Sequence, residues 1–146
     1  MDEKRTFKIV NEFPPNIKEI EKYLDLTGAK PVFAWGDVIF NPHKAELRPD
    51  LLVHEEIHCK QMGNDPEGWW KKYLTDADFR LSQELDAYAV QYQYVKGLGV
   101  TAKKLDWFLD QLATMLSSPM YGNVVTHAQA KTAIRKTYKR IVNTVL

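Results

Sequence analysis

The segment His54-Glu55-Glu56-Ile57-His58 has the residue types and the spacing of a zinc site. On a helix, His54 and His58 stand one turn apart on the same face, so both imidazoles can reach one Zn²⁺ at roughly 2.0–2.1 Å. Glu55 lies about 100° around the helix from His54, which makes it a poor third ligand. It can instead flank a zinc-bound water and act as the general base of a hydrolytic reaction.

A catalytic zinc usually has three protein ligands and keeps its fourth position for water. Four downstream residues are candidates for the third ligand, namely Glu84, Asp86, Asp78 and His127. We favour Glu84, which sits in the middle of a predicted helix, because Ala87 one turn later allows that helix to approach the metal helix closely. Asp86 is the first replacement as a ligand, and otherwise we expect it to hydrogen-bond a liganding histidine.

These residues resemble a known group of enzymes. The pattern His54-Glu55-x-x-His58 followed by Glu84-x-x-Ala87 is similar to that of the gluzincin clan of zinc metallopeptidases, and the compact size resembles its smallest members, the minigluzincins. The stretch from Leu51 to Tyr94, with the later Ser118-Pro119-x-Tyr121-Gly122-Asn123, also looks like small metallopeptidases that bacteriophages and prophages encode. This resemblance covers about half of the chain, and the first 30 residues contribute little to it.

The resemblance implies a function and a role for each residue. The chain would be a zinc-dependent metallohydrolase, and more narrowly a peptidase that acts on a peptide or protein substrate. One catalytic Zn²⁺ would be held by His54, His58 and Glu84, and Glu55 would activate the zinc-bound water. A hairpin preceding the metal helix would present an edge strand that binds an extended peptide by strand addition.

One role of the larger gluzincins has no obvious holder in this chain. Those enzymes have a second domain that supplies a His or Tyr to stabilise the oxyanion, and here only Tyr121 or His127 could do so. Tyr121 is followed by Gly122 in a predicted loop, where its side chain can be aimed at the site. The alternative is that Tyr121 caps the hydrophobic core. His127 stands next to a helix cap and is expected at the surface.

Helices must position these residues, and the sequence predicts them. Pro49 suits a first helical turn, the metal motif follows on a helix that runs to Met62, and Gly63-Asn64 ends it. Further helices are predicted over 66–74, 79–96 and 102–116. The capping box Thr126-His127-Ala128-Gln129 begins a last helix that runs to about Asn143.

The first third of the chain reads as mixed α and β structure. Thr6–Val10 is predicted as a strand, and a capping box at Asn16 as the start of a helix that Gly28 closes. Two apolar arms, 32–35 and 38–40, flank Gly36-Asp37 and predict a hairpin. Ala45–Leu47 is predicted as one more short strand. The order indicates an α+β fold, with a small N-terminal sheet followed by a helical cluster in a single domain, 1–146.

Composition narrows the class of protein. The chain has 146 residues, a net charge of +1 and a hydrophobic fraction of 45%, which suits a packed core without a strong electrostatic pull toward nucleic acid or membranes. Its one cysteine, Cys59, cannot form an intramolecular disulfide. Met1–Val10 lacks the apolar region of a signal peptide. We therefore expect no membrane partner and a cytoplasmic protein, or a virion-associated one if a phage encodes it.

Two other functions stay open from the sequence. The zinc could be a non-catalytic staple in a phage structural or assembly protein, in which case four protein ligands would surround it. The last helix carries a basic stripe that could bind nucleic acid or a protein partner. A solvated face is the simpler interpretation of such a stripe, and oligomeric state is not indicated. The stripe consists of Lys131, Arg135, Lys136, Lys139 and Arg140.

Overall fold

The computed structural model of the protein describes residues 6–144, and over these residues the fold is α+β, as predicted. A small three-stranded mixed sheet comes first and six α-helices make up most of the remainder. Residues 1–5, part of the segment predicted to lack a signal peptide, lie outside the described residues, as do residues 145–146.

The sheet contains the predicted hairpin. Strands β2 (Phe33–Trp35) and β3 (Val38–Phe40) pair antiparallel, and Gly36 between them has a positive φ of 61° that the tight turn requires. Strand β1 (Lys8–Val10), inside the predicted Thr6–Val10, pairs parallel with β3. The strand order is β1-β3-β2, so β2 is an edge strand, and it packs against the helix that carries the metal motif.

Three predictions for the first third are wrong. Helix α1 (Ile17–Tyr23) ends well before Gly28, because Leu24 turns to an extended conformation and buries its side chain in the core. Asn16 precedes this helix but makes no capping hydrogen bond. Residues 45–47 form no strand; instead, the backbone N–H and carbonyl of Ala45 hydrogen-bond the side chain of Asn41.

The later helices follow the sequence closely. They are α2 (Pro49–Met62), α3 (Pro66–Thr75), α4 (Ala77–Lys96), α5 (Ala102–Leu116) and α6 (His127–Thr144). Thr126 and Gln129 form the predicted capping box, since each side chain accepts a hydrogen bond from the backbone N–H of the other. None of the helices within residues 6–144 combines the length and the apolar composition that a membrane crossing needs.

Two hydrophobic cores flank the centre of the molecule. The first joins the sheet with α1, α2 and α3, and the second joins α4, α5 and α6. Helices α2 and α4 pack against each other more extensively than any other pair, and Ala87 on α4 is fully buried, as expected for a close approach of the two helices. The helix that carries the metal motif and the helix that carries Glu84 therefore pack together between these two cores.

Candidate metal centre

The structure brings together three predicted ligands at the contact between α2 and α4. His54 Nε2 and His58 Nε2 lie 3.1 and 3.2 Å from Glu84 Oε1, and 3.2 Å from each other. Ligand atoms at the corners of a tetrahedral zinc site with bonds of 2.0–2.1 Å are about 3.3 Å apart, so this triangle fits such an ion. His54, His58 and Glu84 could thus hold a metal ion.

All three side chains are buried, with 3 to 4% of their surface exposed. In the part of the chain that the structure describes, no fourth His, Cys, Asp or Glu joins the group. A set of two imidazoles and one carboxylate therefore surrounds the position, which is the composition of several catalytic zinc sites.

Each of the three ligands has an outer hydrogen-bond partner that the sequence analysis did not assign. Gln91 Oε1 lies 3.0 Å from His54 Nδ1, and Gln61 Oε1 lies 2.8 Å from His58 Nδ1. The hydroxyl of Tyr73 donates to the second oxygen of Glu84 at 2.5 Å. Helical spacing could have indicated two of these residues. Gln61 follows His58 by three positions and shares its face of α2, and Gln91 follows Glu84 by seven positions and shares its face of α4.

The outer role predicted for Asp86 is wrong. Its carboxylate is about 200° around α4 from Glu84, by the helical period, and its Oδ1 pairs with Arg140 at 3.2 Å. Two other candidate ligands are also elsewhere: Asp78 is exposed in the first turn of α4, and His127 is exposed beside Asp110. Among the four candidates, only Glu84 faces the two histidines.

Glu55 is buried next to this group, with 6% of its surface exposed. It lines both a cavity of about 50 Å³ at the three ligands and a larger groove of about 600 Å³ that opens beside them. Burial raises the pKa of the Glu55 carboxyl above its ordinary value, although His54 and His58 oppose the shift. Glu55 and the three ligands thus line the same cavity.

Without a metal ion, His58 and Glu84 form a buried ion pair. Burial alone would lower the pKa of His58, but the adjacent Glu84 carboxylate outweighs it and raises the pKa to about 9. Burial alone would raise the pKa of Glu84, but His58 and His54 bring it well below its ordinary value. A metal cation would take the place of the proton that this pair holds, so metal binding should release a proton at neutral pH.

Tyr121 lies in the wall of the cavity and of the groove. Its hydroxyl hydrogen-bonds that of Tyr88 at 2.8 Å, and the Tyr88 ring packs edge-on against His54 with centroids 4.4 Å apart. Burial, and next to it the charge of Glu84, raise the pKa of Tyr121 well above its ordinary value, so the hydroxyl stays protonated. Tyr121 also packs against the second core, so the same residue borders both the core and the cavity.

Arg80 fixes the turn that carries Tyr121. Its guanidinium donates to the Tyr121 carbonyl at 3.0 Å and to the Tyr73 carbonyl at 2.7 Å. Gly122 follows with a φ of 90°, a conformation that favours glycine, and a side chain there would also crowd Arg80. One buried cation on α4 thus ties the Tyr121 turn to α3.

The groove runs between two loops and the N-terminal half of α2. Residues 25 and 27–32 form one wall, and residues 118–121 form part of the other. Most of the lining side chains are apolar or uncharged, and the charged exceptions are Asp25, Lys30, Arg48 and Glu55. The groove therefore offers a largely uncharged surface that reaches His54 and Glu55.

Part of the basic stripe on α6 is paired with acidic side chains of α5. Lys131 pairs with Asp106 and Asp110 at 3.3 and 3.0 Å, and Arg135 lies 3.8 Å from Asp106. These acidic residues of α5 offset part of the positive charge that a phosphate backbone would bind.

Comparisons of the chain with protein-family models, with curated proteins and with solved structures give no match. The similarity to gluzincins therefore rests on the residues themselves and stays a prediction.

Proposed function

We propose that the protein is a zinc-dependent hydrolase that cleaves peptide bonds. The observation that carries this proposal is a buried carboxylate, Glu55, beside a three-ligand group, where it lines both a small cavity and a larger groove. A structural zinc needs neither a neighbouring base nor a cleft, whereas a hydrolase needs both.

Zinc is the metal that the donor set favours. Two neutral imidazoles and one carboxylate suit Zn²⁺, and within residues 6–144 only three ligands converge. When bound, the ion would supply a Lewis acid that acidifies a water molecule and polarises a carbonyl group. The rival function, a zinc staple, would require a fourth protein ligand.

Glu55 would handle the proton of the reaction. Its carboxylate accepts a proton from the attacking water as the water oxygen bonds to the carbonyl carbon. It then delivers that proton to the amine nitrogen as the carbon–nitrogen bond breaks, so the products are a carboxylic acid and an amine. Burial raises the pKa of Glu55, which makes it a stronger base than an exposed carboxylate.

Tyr121 would stabilise the negative charge that forms on the carbonyl oxygen. Its hydroxyl is protonated and can donate toward the cavity while it accepts a hydrogen bond from Tyr88. Tyr88 in turn rests on His54, so the donor has a fixed relation to the ligand group. The two hydroxyl groups would thus be positioned before a substrate binds, which lowers the free energy needed to reorganise them during the reaction.

A peptide is the substrate that the groove and the sheet favour. Strand β2 is an edge strand, and Val32, Phe33 and Ala34 line the cavity at the ligands. The Ala34 carbonyl already accepts a hydrogen bond from Trp70 Nε1 at 2.9 Å, so a peptide would pair with the segment before it. Residues 29–32 line the groove, and an extended chain laid against them would reach Glu55.

The test combines metal analysis with a cleavage assay. Protein purified without added zinc should contain one equivalent of zinc by mass spectrometry, and it should cleave members of a broad peptide library. Glu55→Gln should keep the zinc and lose about 10²–10⁴-fold in turnover, because only the proton acceptor is removed.

Glu56→Gln is the matched control, since Glu56 is the next residue of α2 and points away from the ligands. That variant should cleave at the wild-type rate. If Glu55→Gln cleaves as fast as the wild type, the mechanism is wrong. If the wild-type protein holds zinc but cleaves nothing in the library, the staple function is favoured.

A further inference from the structure

Two glutamines contact the outer nitrogens of the two histidine ligands, and the other end of each amide is tied to a group that can only accept a hydrogen bond. Gln91 Nε2 donates to Asp50 Oδ2 at 2.8 Å. Gln61 Nε2 donates to the backbone carbonyl of Gln83 at 3.0 Å. An amide whose NH₂ group is committed in this way must present its oxygen at the opposite end.

The orientation of Gln91 is set by a charged pair. Arg48 donates to both oxygens of Asp50, at 3.1 and 3.2 Å, which holds the carboxylate in place. Burial tends to raise the pKa of Asp50, but the hydrogen bonds from Arg48 and Gln91 bring it below its ordinary value. Asp50 therefore remains an acceptor at neutral pH, and Gln91 Oε1 must face His54 Nδ1.

The consequence for the imidazoles is a defined tautomer. An amide oxygen can only accept, so Nδ1 of each histidine must carry the proton and donate it outward. When a ring is neutral, its Nε2 then presents its lone pair inward, where the two Nε2 atoms and Glu84 Oε1 lie 3.1 to 3.2 Å apart. Three electron-pair donors therefore face one position, which a cation satisfies, either the proton of the metal-free ion pair or a metal ion.

We propose that Gln91 and Gln61 are positioning residues that hold His54 and His58 in the Nδ1–H tautomer, so that both Nε2 atoms are ready to bind the metal. Asp50 acts through Gln91 and the Gln83 carbonyl acts through Gln61. The inference concerns the metal site of the proposed function, but it is tested on the zinc complex alone. Neither glutamine lines the cavity at the three ligands.

The two relays should differ in strength. Gln91 is buried, with 3% of its surface exposed, and its relay ends on the Arg48–Asp50 pair. Gln61 is partly exposed, so water can replace its amide oxygen at His58. Loss of Gln91 would leave His54 Nδ1 without an acceptor in a buried environment. If Gln61 were lost, water could instead accept the hydrogen bond from His58 Nδ1.

The experiment measures zinc affinity by competition with a chelator, and it records the ring-nitrogen signals of the zinc-loaded protein by ¹⁵N NMR. In the wild type, both histidines should show a protonated Nδ1 and a metal-bound Nε2. Gln91→Leu should weaken zinc binding about 10–100-fold and remove the slowly exchanging Nδ1 proton of His54 only. Gln61→Leu should act on His58 only and by a smaller factor.

Gln93→Leu is the matched control, because Gln93 is two residues along α4 and exposed. It should leave affinity and spectra unchanged. The proposal is overturned if the wild-type spectra show either histidine bound through Nδ1, which requires no variant to fold. Unchanged zinc affinity and an intact His54 Nδ1 proton in folded Gln91→Leu would also overturn it. The proposed function fails separately, through the absence of cleavage by a zinc-loaded wild-type protein.

Discussion

The two pairs of helices α2–α4 and α5–α6 bury very different surfaces. Helices α5 and α6 meet through apolar side chains such as Leu109, Leu112 and Ile134, and the ion pairs between them are made by partly or fully exposed side chains. Helices α2 and α4 bury charged or polar residues at their contact and its edges, and these are Asp50, His54, Glu55, His58, Arg80, Glu84 and Gln91. The α5–α6 contact is therefore typical of a structural scaffold, whereas the α2–α4 contact is typical of a functional site.

The difference shows what the site costs and how the fold compensates for it. A buried polar group without a partner destabilises a protein by about 1–3 kcal/mol, and a buried charge by more. At the α2–α4 contact nearly every such group has a partner: Glu84 has His54, His58 and Tyr73, and Arg80 has backbone carbonyls. The apolar cores on both sides then supply the stability that the contact itself lacks.

The largest effect should come from Glu84→Gln, which removes the only charged ligand from the polar contact. We expect zinc affinity to fall by more than about 100-fold, beyond the usual effect of an outer hydrogen bond. The metal-free protein should also lose about 3–5 kcal/mol of unfolding free energy at pH 6, because His58 loses its buried counter-charge. Zinc titration and urea unfolding measure the two changes.

Asp86→Asn is the control for that variant, since Asp86 lies on the same helix but pairs with Arg140 at the surface. It should change stability by at most about 1 kcal/mol and leave zinc affinity unaltered. Tight zinc binding by Glu84→Gln would place the third ligand elsewhere.

Disrupting the apolar contact between α5 and α6 should lower stability but leave zinc binding and turnover nearly unchanged. Leu109→Ala, in the core between α5 and α6, should cost about 2–5 kcal/mol of unfolding free energy through lost burial and a residual cavity. Zinc affinity and turnover should stay within about twofold of wild type at temperatures where the variant is folded. Trp107→Ala on the same helix, where 62% of the side chain is exposed, should change stability by about 0.5 kcal/mol or less. A large loss of zinc affinity in Leu109→Ala would show that the two contacts are coupled.

Tyr121→Phe tests whether the wall of the cavity takes part in the chemistry. If the hydroxyl stabilises the oxyanion, kcat should fall about 100-fold with zinc content and KM nearly unchanged. Tyr92→Phe is the control, because Tyr92 packs against Tyr138 away from the ligands and should keep full activity. A variant with wild-type kcat would leave Tyr121 with its packing role alone.

The smallest expected effect is the pH dependence of the metal-free protein. The pKa of His58 is raised from 6.5 to about 9, so its ion pair with Glu84 stabilises the fold fully below pH 6.5 and is lost as pH rises through 9. The pKa of Glu84 is lowered, so its contribution is present above about pH 4.5 and is lost in acid. In a chelator, Tm should fall by on the order of 5 °C between pH 6.5 and 8.

The same scan on Glu84→Gln is the control and should lack that slope, since the partner that raises the pKa of His58 is gone. Leu109→Ala should retain the slope at a lower Tm. A wild-type Tm that stays level over this range would mean that no proton is shared within the ligand group.

The local part of the site could be predicted from the sequence. His54, Glu55 and His58 stand within two turns of one helix, whose period fixes their relative directions. The hairpin at Gly36 and the capping box at Thr126 were predictable for the same reason, since a few neighbouring residues determine each. The prediction for α1 failed at its C-terminal end, where burial of Leu24 in the core, and not Gly28, decided where the helix stopped.

The non-local part could be predicted only in outline. Glu84 was one of four candidates, and the choice between it and Asp86 depended on which side of α4 meets α2. Residues two positions apart lie on nearly opposite faces of a helix. Choosing Asp86 in place of Glu84 would therefore have selected a residue of a surface ion pair as the ligand.

The sequence alone determined a helix with two imidazoles and a base on it, together with the α+β order of the elements, because helical and turn preferences act over a few residues. Only the tertiary structure decided that Gln91, 37 residues from His54, would contact its ring nitrogen, and that Tyr121 would line the cavity. Contacts of that kind depend on how two hydrophobic cores set α2 against α4, and no local pattern records that packing.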